Sequence, residues 1–539
     1  MPEILARDRT GGRVLASPAM SQGQLHIRPD DELIAVGAAH ERFGMVKKIA
    51  LGTGLIVLVA AVAYRSLGLR VSVDGSGMIP RFLSSEPNYD ALEADRVRQR
   101  TLAPPAEVSP ALPTAARSGV AEGVADAPST AVGSPAAGNS MEASPSQTSP
   151  AFPKDGYWPD FRGPRRDGRY DDGPVLTDWP EGGLRQLWKH PIGLGYASFV
   201  VADGRAYTIE QRRDQEVVSA YDVDSGHELW TVSWPGEFRE TMGGDGPRAT
   251  PTYQEGRVYA LGALGELRCL DALTGEVVWR RNILSDADAS NLSWGMAASP
   301  LVVDDKVIVL PGGRGGHSVA AYDKRTGEPL WTALDDWQAY TSPMLVTLVG
   351  LRQLLVVSAT RAMGLTVEDG RLLWEYPWGN NQGISVAQPL LLGNDRVFVS
   401  ASYGGGAAAF KVERVGEAFT TTTLWRNQRM KNRFTSSVLH GGFIYGLDER
   451  ILACLDASTG DLMWKGGRYG YGQLIIAGDR LVVVTEDGDL VQVRATPDEH
   501  DEIARFAALD GKTWNHPTIV GGRLLVRNRR EMAAFDLRP

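Results

Sequence analysis

The sequence predicts an all-β fold: an eight-bladed β-propeller of four-stranded antiparallel blades, preceded by one transmembrane helix and a disordered linker. Three observations carry this prediction. A turn of the form Asp-x-x-Thr/Ser-Gly followed four residues later by Trp recurs as YDVDSGHELW (221–230), LDALTGEVVW (270–279), YDKRTGEPLW (322–331) and LDASTGDLMW (455–464). A degenerate copy, LTVEDGRLLW (365–374), lacks the Asp, and Trp425 closes a further copy with a longer turn. Ahead of each copy stands a β-rich run broken by a tight Gly or Asp turn, as in SFVVADGRAYTI, TPTYQEGRVYAL and HPTIVGGRLLVR, which is the signature of a hairpin. Finally, the last such unit ends at FDLRP without its Trp strand, while LRQLWKHPI, with Trp188, stands unused before the first.

Along the chain, residues 1–46 mix charges and small residues without sustained periodicity and read as a cytoplasmic tail. Residues 47–69 follow, with Lys47 and Lys48 ahead of an apolar run and Arg65 behind it. The run reaches the roughly 17–25 residues that cross a bilayer only if residues 66–69 take part. Two readings stand open. It is an uncleaved anchor oriented by the two lysines, or translation starts at Met45 and Ala61-Val62-Ala63 is a signal cleavage site. Either way the remainder is exported, so the expected location is the inner membrane, single-pass, with the propeller in the periplasm or outside the cell. Residues 70–153 read as a flexible linker: from about Thr101 to Pro153 the sequence is dominated by Ala, Pro, Ser, Gly and Val, with almost no aromatics and too little apolar surface to offset ordering entropy. Aromatics return at Tyr157-Trp158, and residues 154–539 are the propeller.

Composition excludes some functions. A net charge of -9 argues against a nucleic-acid partner, because phosphate binding needs a basic face. There are two cysteines, Cys269 and Cys454, at equivalent places in RCLDALTG and ACLDASTG of the second and sixth blades. Lying across the ring from each other, they are expected as buried free thiols. No Ser/His/Asp arrangement, metal-ligand spacing or phosphate loop stands out, and Asp335-Asp336 read as solvent-facing.

The repeat glycines supply a positive-φ turn and the Asp side chains cap it. The Trp wedges against the next sheet. All three are structural roles, so functional residues are sought between the repeats. Five stand on loops ahead of blades: Arg248 in GGDGPRAT, Trp294 in NLSWGMAAS, Arg433 in MKNRFTSS, and Trp514 and His516 in KTWNHPT. First strands line a propeller's channel, so these residues are expected to converge near the axis as a cofactor- or ligand-binding pocket. Asn291, Lys431 and Asn515 are lesser candidates on the same loops, and Arg314 and His317 stand in a separate Gly-rich turn, PGGRGGH, whose backbone N–H groups could cradle an anion.

The D-x-x-T-G-x-x-x-W unit resembles the repeat of pyrroloquinoline quinone (PQQ) dehydrogenases and equally that of their non-enzymatic, BamB-like relatives. WPDFRGPRRDGRY (158–170) is similar to the entry segment of bacterial PQQ-like propeller proteins. The resemblance covers residues 158–539 and implies the propeller. It leaves function divided. Quinoprotein alcohol dehydrogenases of this type carry adjacent bonded cysteines, acidic calcium ligands and a catalytic Asp, and adjacent cysteines are absent here. The expectation is a membrane-anchored, non-catalytic binding or scaffold module with a protein partner or small ligand. A PQQ-dependent alcohol or sugar oxidoreductase is the alternative. No catalytic residue, metal ligand or cofactor follows from the residues themselves; PQQ is the cofactor the resemblance admits.

Overall fold

The computed structural model describes residues 156–539 throughout, the helix Tyr89–Leu102, and six short N-terminal strands between Glu3 and Met78. The chain divides into two units, Met1–Glu86 and Pro87–Pro539. In the first, Glu3–Ala6, Ile34–Gly37, Gln24–Ile27 and Ala19–Ser21 form one antiparallel sheet in that order. The anchor expected over 47–69 lies outside the described residues. Among those described, no helix is long and apolar enough to cross a membrane.

The second unit holds eight four-stranded antiparallel blades. Blade 1 comprises Val200–Ala202, Arg205–Arg212, Gln215–Asp222 and Glu228–Pro235, running outward from the axis. Six further blades follow in order, with inner strands Thr252–Gln254, Leu301–Val303, Met344–Leu348, Leu390–Leu391, Val438–His440 and Gln473–Ala477. Blade 8 contains Thr518–Val520, Arg523–Arg527 and Glu531–Asp536, and its outer strand is the N-terminal Gln186–Pro191. Trp188 lies opposite Ala534 in that pair, so the strand left over in the sequence closes the ring.

Each repeat motif joins two blades. The Asp222 carboxylate accepts from the Ser225 amide at 2.8 Å, and Asp271, Asp323 and Asp456 cap their turns likewise. The turn ends on Gly226, Gly275, Gly327 or Gly460 at φ +69° to +79°. A Cβ at Gly275 would stand 2.8 Å from the Trp230 ring, so the glycine is where the preceding blade's Trp docks. The indole N–H groups of Trp188, Trp230, Trp279 and Trp425 donate to the carbonyls of Val223, Ala272, Lys324 and Ala457, each just past the Asp. The apolar clusters accordingly lie between blades, each shared by neighbours. Cys269 and Cys454 are buried free thiols in two of them, and burial pushes both up to about 12.

Two segments differ from the sequence reading. Within residues 70–153, read as linker throughout, Tyr89–Leu102 is a helix packed on the blade 8 to blade 1 seam. Asp336, read as solvent-facing, is buried against Arg361 at 2.6 Å.

Candidate functional site

The channel is closed from within by residues 156–170. Arg162 and Arg166 are both fully buried, and both adopt left-handed backbone conformations that only a well-packed surround sustains. Arg166 donates to the carbonyls of Ser299, Pro300 and Pro343 on blades 3 and 4 and pairs with Asp160 at 2.6 Å. Arg162 reaches the other side of the axis, donating to Ser437 and Leu474 on blades 6 and 7. Arg169 and Tyr170 then add a short parallel strand to blade 7. A buried backbone carbonyl needs a donor, and proline at 251, 300, 343, 389 and 517 leaves inner strands short of N–H groups. The guanidinium forks of the plug supply donors there. Burial draws Arg162 down to about 10, against the pull of Asp167.

Above the plug, a polar belt ties inner strand to inner strand. The amides of Ser198, Thr250, Ser299, Ser342 and Gln388 each donate to the side chain of the next member, at 2.8–3.0 Å, ending on Ser436. Ser198 closes toward blade 8 by donating to the His516 carbonyl.

The mouth of the funnel lies just outside this belt, and four of the five residues expected from sequence, Arg248, Trp294, Arg433 and Trp514, sit on it or at its edge. Trp514 stacks on Tyr196 with ring centroids 5.5 Å apart and on Phe434 at 4.5 Å. Lys512 lies 3.4 Å over the Trp514 ring, and the indole N–H donates to Glu486, so this Trp is enclosed. Arg248 stands over Phe238 at 4.6 Å and Tyr196 at 5.6 Å, donating to the carbonyls of Gly244 and Gly246. Burial lowers it to about 10, with Tyr196 and Glu240 opposing. Arg433 is ringed by Tyr403, Tyr471 and Phe434 and donates to the Tyr471 hydroxyl at 2.7 Å. Trp294 packs on Tyr340 at 5.6 Å and stays half-buried. His516 lies beneath, edge-on to Phe161 of the plug at 4.9 Å and beside Arg162. Burial and that guanidinium hold it well below the usual histidine range. Structure thus joins Arg248 and Trp514 through Tyr196, and Trp514 and Arg433 through Phe434; His516 belongs to the floor. Of the lesser candidates, Asn291 and Asn515 donate to backbone carbonyls and Lys431 pairs with Asp448. Arg314 stacks on exposed Trp337.

Sequence reasoning missed Tyr196, Tyr340, Phe434, Tyr471 and Lys512. A signal existed. Tyr196, Arg248, Tyr340, Phe434, Tyr471 and Trp514 each stand two residues ahead of the polar residue that opens an inner strand. Aligning the repeat on that polar residue, rather than on the Trp, brings six of the eight blades into one aromatic and cationic ring.

Chemically the mouth is a set of ring faces interleaved with cations held by carbonyls and π-clouds, which suits an anionic or aromatic partner. Its cations fit the carboxylates of a quinone such as PQQ. Its donors do not fit a quinone-assisting divalent metal: among the described residues no three His, Cys, Asp or Glu side chains group as ligands.

Residues 213–466 match the family model described as outer membrane protein assembly factor BamB. The chain is 26% identical over 324 residues to the outer membrane protein assembly factor BamB of Burkholderia pseudomallei, covering 58% of this chain and 77% of that protein. It is 28% identical over 187 residues to a quinohemoprotein alcohol dehydrogenase of Pseudomonas putida, covering 32% of this chain and 24% of the relative. The solved structure of quinohemoprotein alcohol dehydrogenase ADHIIG from Pseudomonas putida matches the fold with a TM-score of 0.51 at 13% identity, over 71% of this chain and 80% of that one. The motif, the ring and these matches agree, and the chain is similar to the PQQ-like β-propeller repeat proteins.

Proposed function

We propose that this chain is a non-catalytic binding and scaffold propeller, held on the outer face of the inner membrane through residues 47–69, that engages a protein or small ligand at the funnel mouth. The observation that carries this reading is the state of the mouth's own side chains. Arg248, Arg433 and Lys512 are already placed by carbonyls, hydroxyls and ring faces, and Trp514 is enclosed on Lys512, Tyr196 and Phe434. Such a surface is preorganised for recognition, and recognition benefits when rotamers are fixed before the partner arrives. Similarity to outer membrane protein assembly factors over most of their length supports a protein partner. An export tether fits that company.

The second reading, a PQQ-dependent alcohol or sugar oxidoreductase, draws on the similarity to quinohemoprotein alcohol dehydrogenase and on Arg248 and Arg433 as carboxylate clamps. Titrating the purified full chain with PQQ and Ca²⁺ separates the two. The scaffold reading expects no quinone reduction by alcohols or sugars at saturating cofactor. Turnover under those conditions would replace it with the enzyme. If quinone binds without turnover, Arg248→Ala and Arg433→Ala should each weaken that binding at least tenfold, the effect of losing one charge-assisted contact worth about 1.4 kcal/mol or more.

A further inference from the structure

The helix Tyr89–Leu102 is separated from the propeller by residues 103–155, yet it is bound to it through a specific pocket. Leu92, Arg96 and Gln99 share one helical face, four and three residues apart, and all three are buried. Arg96 inserts into the seam where the ring closes. Its guanidinium donates to Glu228 at 3.2 Å, to the Pro191 carbonyl at 2.9 Å and to the Tyr221 hydroxyl at 3.4 Å. Pro191 ends the closing strand of blade 8, whereas Glu228 and Tyr221 belong to blade 1. Gln99 accepts from the Glu228 amide at 3.0 Å, capping the open edge of blade 1's outer strand. Behind Glu228 stand fully buried Glu210 with Arg212, Ser219 and Tyr221. At the rim, Arg213 pairs with Asp90 and Glu93. On the helix, Asp95 holds Arg96 at 3.0 Å and faces His190 at 3.3 Å.

These contacts are those of a receptor and a ligand. Glu228, a phenol and a carbonyl of the propeller, with Asp95 of the helix itself, converge on one guanidinium, which shares Glu228 with Arg212, so its removal withdraws one of two cations from a buried carboxylate cluster. We propose that the blade 8 to blade 1 seam is a docking site for a guanidinium-bearing helix, filled in cis by Arg96, so that residues 89–102 act as a releasable clasp. A clasp of this kind gives the propeller two tether lengths, a consequence that rests on the anchored reading above. Docked, residues 70–88 connect anchor to ring and span at most about 65 Å; released, residues 70–155 span at most about 290 Å. The docking itself is independent of any membrane.

The test uses the full chain and a synthetic peptide of residues 87–104. In hydrogen exchange, amides of 89–102 should be protected in the wild type and lose about tenfold or more of that protection in Arg96→Ala, the factor for one buried charged contact. Blade amides should keep theirs. The peptide should bind the Arg96→Ala chain, whose guanidinium subsite is empty and whose cis helix is weakened, and bind wild type at least tenfold more weakly because the intact cis helix competes. A peptide carrying Arg96→Ala should bind neither. Glu228→Gln, which leaves Tyr221 and Pro191 in place, should weaken the peptide on the vacated chain. Unchanged protection in Arg96→Ala, equal peptide binding to both chains, or no binding to a vacated chain that keeps its blade protection would overturn the clasp.

Discussion

Two buried residues give the sharpest single-site expectations. Arg166 sits among Ser299, Pro300 and Pro343 carbonyls and Asp160, while its neighbour Arg165 is an exposed partner of Asp167 and Asp171. Replacing Arg166 with Met leaves Asp160 and three carbonyls without that donor and should cost about 3–5 kcal/mol. Arg165→Met should stay within about 1 kcal/mol. Urea midpoints read the difference, and equal midpoints would show the plug to be dispensable. Glu216 supplies a pH signature. It is wholly buried beside Gly262, and burial raises it to about 7, although the Ala263 amide and the Trp234 indole both donate to it. The folded state therefore holds this proton more tightly than the unfolded chain does. Stability carried by the site is full below about 4.5, falls as pH rises, and is lost above about 7, by about 3 kcal/mol in total. Subtracting the Glu216→Gln stability profile from that of wild type should isolate this fall; a flat difference between pH 4.5 and 7 would show the carboxyl ionised throughout.

Elements explain where the repeat holds and where it slackens. Trp279 donates to Lys324, next to the turn-capping Asp323. Trp331 should donate in the same way to the turn of blade 4, but that turn is the copy without Asp, built instead on Thr366 and Asp369. Its indole N–H is buried without a partner. Trp279→Phe should thus lose about 1 kcal/mol more than Trp331→Phe, which removes a donor that nothing accepts. Thermal melts of the two variants test this, and a larger loss at Trp331 would contradict it. The same comparison shows what was legible from sequence. Asp, Gly and Trp at fixed spacing declared the turns because each is required by local geometry. Helix Tyr89–Leu102 was not legible, since its mixture of charges has no apolar stripe beyond Leu92 and its order comes from a pocket formed by residues far along the chain. The mouth lay between: its loop residues could be named, but Tyr196 and Phe434 matter through contacts across blades that spacing alone does not express.

At the scale of the molecule, the N-terminal region does three separate jobs on one ring. Residues 156–170 stop the channel, Gln186–Pro191 completes blade 8, and Tyr89–Leu102 clasps the outside of that closure. A ring made of neighbour contacts has its weak point where the first and last segments meet, because only there does opening release no intervening chain. Lys189 lies directly opposite Ala533 across the closing pair. Lys189→Cys with Ala533→Cys places two thiols at cross-strand distance, where a disulfide is geometrically feasible, and the native Cys269 and Cys454 are buried elsewhere. The loop so closed spans almost the whole ring, for which the chain-entropy model predicts a stabilisation of at least about 4 kcal/mol. The oxidised double variant should melt several degrees above its own reduced form, and the Arg96→Ala change should destabilise the reduced form more than the oxidised one. If oxidation leaves the melting temperature unchanged, unfolding does not begin at the seam, and the clasp would then govern reach without governing stability.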